Sequence, residues 1–327
     1  MIPTRRRLLL GIAAAVGPGA APAWAQADFP TRPIRTVIGF APGGGVDMVA
    51  RPLAQRMSRT LGQTIVVESR AGANGNIAAD HVAFQVPADG YTLLQINGAM
   101  ATNNPFLYRN VRVTYRRDFA PICGITSTPQ AVMVSSTLGV STLADLVGYA
   151  RANPGKLNFA SGGIGTLAHL SLELFKRDQQ IDIVHVPYRG TGPAIPDMIA
   201  GRMHLMIDNL AQARGAIDAG QMRVLAVAGH ERLSAIPDVP TTLEAGFPNL
   251  VAVGWQALMA PATVPAPVLA GLREACREAM SDEELLTFYR ERGVVPRYRT
   301  PQEVSELIRD ESAQWGEIIR SAGITLE

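Results

Sequence analysis

Ile34-Arg35-Thr36-Val37-Ile38-Gly39-Phe40-Ala41-Pro42-Gly43-Gly44-Gly45-Val46-Asp47 is a buried-strand pattern that runs straight into a glycine loop. Ile34 to Phe40 reads as a strand, and Ala41 to Gly45 breaks it. Val46, Val49, Ala50, Leu53, Ala54, Met57 and Leu61 then recur at helical spacing, so Val46 to Leu61 is an amphipathic helix in which Pro52 is a candidate kink. The same order continues outward. Thr64 to Glu68 and Tyr91 to Ile96 read as strands, with a helix at Asn76 to Val86. A helix capped by Ser141 runs to about Ala152, and Leu157 to Ala160 is a strand. Ser161-Gly162-Gly163-Ile164-Gly165 is a second glycine loop, and it opens a helix over Thr166 to Arg177. Strands follow at Ile183 to Val186, His204 to Ile207 and Arg223 to Ala228, with a helix at Pro193 to Ala200. The last third reads as helical, with capping-box patterns at Thr241 to Glu244, Ser281 to Glu284 and Thr300 to Glu303. Alternating strands and helices predict an α/β fold with mixed, mostly parallel sheets covered on both faces.

The N-terminus reads as a leader. Arg5-Arg6-Arg7 has a twin-arginine look, an apolar stretch from Leu8 to Val16 follows, and Ala23-Trp24-Ala25 is a cleavage signal. The stretch is shorter than the roughly 18–20 residues that span a bilayer. Residues 1–25 are therefore expected to be a signal peptide and the protein to be periplasmic. The full chain of 327 residues carries 30 basic and 28 acidic residues; without Arg5, Arg6 and Arg7 the basic count is 27. Near neutrality gives no electrostatic basis for binding nucleic acid or anionic lipid. Cys123 and Cys276 are the only cysteines. An oxidising compartment permits a bond between them, and two buried thiols are the alternative. No cysteine or histidine spacing suits a metal, and none is expected.

The two glycine loops carry the chemistry. Each follows a strand and opens a helix, whose first turn has unpaired N–H groups and partial positive charge. Glycines let an anion approach the backbone closely. A carboxylate held between two such loops would tie domain closure to its presence. Asp47 can cap its helix, orient the loop or meet the ligand. His169 can face the ligand, pack, or pair with Glu173. Arg189 could pair with a second carboxylate, and Asp208 could accept from a ligand hydroxyl or amine. Gly163-Ile164-Gly165-Thr166-Leu167-Ala168 also fits a dinucleotide fingerprint, with Asp182 as ribose partner. Its mid-chain position and the leader argue against a nicotinamide enzyme, and no cofactor is expected. There is no G-x-S-x-G elbow, H-E-x-x-H or Walker lysine.

Further residues carry a family resemblance. They include Phe29-Pro30-Thr31-Arg32-Pro33-Ile34, Phe40 to Gly45 with Asp47, Gly72-Ala73-Asn74-Gly75-Asn76-Ile77 and Pro87-Ala88-Asp89-Gly90-Tyr91-Thr92-Leu93-Leu94. Asn104-Pro105, Pro154-Gly155-Lys156-Leu157, His185-Val186-Pro187-Tyr188-Arg189-Gly190, Pro237-Asp238-Val239-Pro240-Thr241 and Ala322-Gly323-Ile324 complete the set. The chain resembles the Bug-type, TctC-like substrate-binding proteins of tripartite tricarboxylate transporters. The resemblance implies a two-domain periplasmic-binding-protein (Venus-flytrap) fold. It places residues 26–126 plus 251–327 in one domain and 127–250 in the other, with crossings near Thr126 and Val251. It implies a monomeric, non-enzymatic receptor for a small carboxylate, amino acid or aromatic acid, which is delivered to integral membrane transporter subunits. A sensory binding protein, or an enzyme on the same scaffold, is the alternative. The candidate ligand residues are Phe40, Ala41, Gly43, Gly44, Gly45, Asp47, Asn97, Ser161, Gly163, Gly165, Thr166, His169, Tyr188 and Asp208. Val46 stands where the family usually has Ser or Thr, which removes a hydroxyl donor. Ile164, bulkier than is usual there, would narrow the pocket or favour an apolar ligand body.

Overall fold

The computed structural model describes residues 29–188 and 190–324. The leader read in residues 1–25 and Arg189 lie outside the described residues. In chain order the first elements are β1 (Ile34–Ile38), α1 (Gly45–Leu61), β2 (Ile65–Ser69), α2 (Asn76–Phe84), β3 (Thr92–Asn97), α3 (Gly98–Thr102), α4 (Asn104–Leu107), α5 (Tyr115–Asp118) and β4 (Phe119–Ser135). The middle contributes α6 (Leu143–Ala152), β5 (Leu157–Ser161), α7 (Leu167–Gln179), β6 (Ile183–Pro187), α8 (Ile195–Ile199), β7 (Leu205–Asp208), α9 (Leu210–Asp218) and β8 (Met222–Ala228). β9 (Val253–Pro261), α10 (Ala266–Ala279), α11 (Glu283–Glu291), β10 (Pro296–Arg299) and α12 (Pro301–Ala322) complete it.

The strands run in the order β2-β1-β3-β9-β4-β7-β5-β6, with β8 and β10 also on β4. β1 pairs in parallel with β2 and β3, and β5 with β6 and β7. The antiparallel pairings gather on β4 and β9. This is the expected α/β class, with mixed sheets flanked by helices.

β4 is 17 residues long and belongs to both sheet layers. Phe119 to Pro129 pair with β9, whereas Ala131 to Val134 pair with β7 and Gln130 to Ser135 with β8. Its register shifts between Pro121 and Cys123 and again between Gly124 and Thr126. Such bulges bend a strand and increase its twist. Neither β4 nor β9 is apparent from the sequence pattern. Pro121, Gly124 and Pro129 interrupt β4 with residues that normally argue against a strand, and bulges are where such residues are tolerated.

Each layer has its own core. Val49, Leu53 and Met57 of α1 pack with Leu93, Ile122 and Leu272 on one face of the first layer. Val82 of α2 and Val304 and Ile308 of α12 cover its other face with Val37, Leu94 and Ile96. In the second layer Leu146, Phe159, Leu172 and Phe175 form one face, and Met133, Met198, Met206 and Leu210 the other. A smaller apolar group joins Leu107 of α4 and Leu170 of α7 to Trp315, Ile318 and Ile319 of α12. The last helix therefore touches both layers. Cys123 of β4 and Cys276 of α10 are bonded, with Cα atoms 6.5 Å apart, which settles the two alternatives left by the sequence.

The capping patterns meet different fates. Thr300 and Glu303 form the reciprocal box expected. The start of α6 moves by one residue, because Thr142 rather than Ser141 is the N-cap and pairs with Asp145. At α11 the cap is Asp282, not Ser281. Thr241 and Glu244 exchange bonds as a box would, but they close a turn rather than a helix.

Candidate functional site

β1 ends at Ile38, and Gly39 packs so tightly on Gly75 that a Cβ there would lie 2.4 Å from its Cα. The loop leaves this contact with Phe40 held by Ser69, whose hydroxyl donates to the Phe40 carbonyl at 2.6 Å. Ala41 to Gly43 are exposed. Asp47 is buried and lies in the first turn of α1. Its Oδ2 accepts from the Gly43 N–H at 2.9 Å and from Arg51 Nε at 2.9 Å, and its Oδ1 lies 2.8 Å from Arg51 Nη2. Burial raises the Asp47 pKa, but the Arg51 and Gly43 bonds outweigh it and hold the group below the usual carboxylate range. Asp47 therefore orients the loop, and the Gly43 N–H is already engaged. Gly44 is the N-cap of α1 and supplies no side-chain bond. Within the helix the first N–H to find its carbonyl is that of Met48, on Gly44. The N–H groups of Gly45, Val46 and Asp47 open the helix without a capping side chain, which is the electropositive end that accepts anions.

The second loop is built differently. Thr166 caps α7 by accepting from the His169 N–H, and its hydroxyl donates to Gly163 O at 2.8 Å. The Gly163 N–H donates to Ser161 Oγ at 3.1 Å, and the Gly165 N–H donates to His169 Nδ1 at 3.0 Å. Gly163 and Gly165 adopt φ of 139° and 77°, where an L side chain is strained. These two glycines give the loop its shape, with their own donors turned inward. Ile164 stands 39% exposed between them.

The first loop leans on β3 and β9, and the second on the segment that follows β3. Gln95 and Gln256 contact the start of α1, through Val46 O and Gly45 O. Asn103 Nδ2 donates to Gly165 O at 3.2 Å, and a Cβ on Gly165 would lie 2.2 Å from Leu107 Cδ1. Asn97 caps α3 by accepting from the Met100 N–H. Tyr188 follows β6, and its hydroxyl donates to Asp197 Oδ2 at 2.6 Å; burial and this bond push the phenol up to about 12. Asp208 ends β7 and accepts from the Asn209 N–H, while burial raises its pKa. None of the described contacts joins Tyr188 or Asp208 to either loop through its side chain.

The sequence matches the family model described as "Tripartite tricarboxylate transporter family receptor" over residues 49–324. The chain belongs to this receptor family. A Rhodopseudomonas palustris relative, Rpa4515 solved with adipate, is 36% identical with a TM-score of 0.84, covering 91% of this chain and all (100%) of that one. MatC (Rpa3494) of the same organism, solved with malate, is 30% identical with a TM-score of 0.79, covering 89% and 100%. The periplasmic binding protein BugD is 29% identical with a TM-score of 0.81, covering 91% and 100%. The fold is that of periplasmic binding proteins of this type.

Several contacts in this tripartite tricarboxylate receptor escape the sequence reading. Gln95 is visible as a polar residue inside the apolar run Leu93-Leu94-Gln95-Ile96, a signal that buried strands rarely give without cause. Gln256 and Asn103 carry no comparable signal. His169 does not pair with Glu173, which binds Lys176 instead. Its ring stacks on His185 with centroids 4.0 Å apart. Ser161 Oγ lies 2.6 Å from His185 Nε2, the reach of a nucleophile and its base. Ser161 is, however, fully buried and bonded into the loop through Gly163, so the pair acts as an inner bracket.

Burial drives both rings down to about 4, His169 with help from Lys176 and His185 with help from His169. Since His169 Nδ1 accepts from the Gly165 N–H, the bracket requires a neutral ring. The folded pKa of about 4 lies below the ordinary 6.5, so the folded state binds fewer protons and this contribution to stability falls as pH drops from 6.5 towards 4. Glu311, pushed up to about 7 by burial, has the opposite sign, so a whole-protein melt would blur the effect. Imidazole NMR resolves it. His169 and His185 are expected to stay neutral from about pH 5 to 8. A midpoint above about 6 for either ring would contradict the bracket.

Proposed function

We propose that this chain is an exported receptor that captures a small organic carboxylate at the start of α1, facing the Ser161 to Thr166 loop, and delivers it to membrane transporter subunits. The observation that carries the reading is the uncapped first turn of α1, with the Gly45, Val46 and Asp47 N–H groups at the C-terminal end of a parallel strand. Relatives solved with adipate and malate bind carboxylates on the same fold, which supports an anionic ligand here. The two lobes are residues 26–126 with 251–327, and 127–250, joined where β4 and β9 cross. A carboxylate bridging them would favour the closed form by its differential affinity. The leader supports a periplasmic location.

The test is isothermal titration of the mature protein with adipate, malate, benzoate and glutamate, alongside a thermal-shift series. At least one is expected to bind stoichiometrically, with a melting temperature that climbs with ligand concentration. NMR of the incubated ligand should show no product. Failure of all four to bind overturns the reading, and turnover would replace it with an enzyme.

A further inference from the structure

The geometry points to Gln95 and Gln256 as positioning residues that aim the ligand-binding N–H groups of α1, an inference that rests on the receptor reading above. In a peptide unit the carbonyl and the following N–H are fixed in one plane and point opposite ways. Holding one end therefore aims the other. Gln256 Nε2 donates to Gly45 O at 3.1 Å, and the N–H of that peptide unit is Val46's. Gln95 Nε2 reaches Val46 O at 3.5 Å, and that unit carries the Asp47 N–H. Two of the three uncapped donors are thus set from behind by side-chain amides. A donor placed on the carbonyl also polarises the unit and strengthens its N–H.

The amides are themselves coupled, since Gln95 Nε2 also donates to Gln256 Oε1 at 2.8 Å. Gln256 lies opposite Asn97 of β3 on one side and Thr126 of β4 on the other. The start of α1 is thereby tied to the strand pair where the two sheet layers exchange. Stability alone does not account for this arrangement. Gln95 is fully buried on the sheet face that α1 covers, and its Oε1 has no partner among the described residues. An unsatisfied buried acceptor is costly, and an apolar side chain would avoid it.

The decisive experiment compares Gln95→Met and Gln256→Met, which keep length and lose the donors, with the parent protein. The probes are adipate, malate, benzoate and glutamate, and the comparison uses whichever binds the parent most tightly. Each variant is expected to raise Kd about tenfold. Gln95→Met removes the orphaned Gln95 Oε1 but takes the donor from Gln256 Oε1, so its ligand-free melting temperature should stay near the parent's, an outcome that a purely structural role would not give. The double variant should lose less than the product of the single losses, because the amides act together. The amide NMR signals of Val46 and Asp47 should move in both. Should Gln256→Met fail to fold, Gln95→Met decides alone. Folded variants that bind within about twofold of the parent overturn this inference only. A parent that binds none of the four probes overturns the receptor reading and this inference with it.

Discussion

Gly45→Pro is expected to weaken carboxylate binding by about ten- to a hundredfold while the ligand-free melting temperature stays level or rises slightly. The substitution suits the backbone. Gly45 is the first residue of α1, the helical position at which proline is favoured. Gly44 before it is extended, with φ −77° and ψ 173°, as a residue preceding proline prefers. A Cβ at Gly45 meets nothing within 4 Å. What disappears is one N–H of the uncapped turn. A hydrogen bond to a charged group contributes about 1.5–3 kcal/mol, which sets the expected range. Gly45→Ala keeps the N–H and serves as the control, with binding near that of the parent. If titration finds the proline variant binding as the parent does, the first turn of α1 is not the carboxylate site.

Removing the disulfide should have the largest effect on stability. Cys123 and Cys276 are 153 residues apart, and the loop their bond closes contains the whole of the second layer from β5 to β8 together with β9. Chain entropy sets a ceiling of about 5 kcal/mol for a loop of that length, and native disulfides typically contribute about 2–5 kcal/mol. Cys276→Ala is expected to lose stability in that range under oxidising conditions. Guanidinium unfolding should shift the parent to the variant's midpoint when reductant is added, and leave the variant where it was. Coincident parent curves with and without reductant would show that the bond contributes nothing.

The parts of the fold legible in the sequence are those where periodicity and punctuation agree. α1 is readable because seven apolar positions fall on one face after three glycines, and α12 because Thr300, Pro301 and Glu303 mark its start. β4 is not, since its bulges and prolines conceal a strand that only its neighbours define. The site divides the same way. Which turns present backbone donors follows from glycine and helix position. Which donors remain free depends on Asp47, His169 and Ser161 folding back onto the loops, and these contacts have no signature in residue spacing. The role of Gln256 arises from strand register across β3, β9 and β4, which only tertiary pairing fixes.

A single strand threading both layers would make the joint between the proposed lobes a leaf spring rather than a pin. Flexing β4 against β9 would strain a ladder of backbone bonds that neither half can release alone. In the proposed receptor that elastic load would oppose the grip of the cargo.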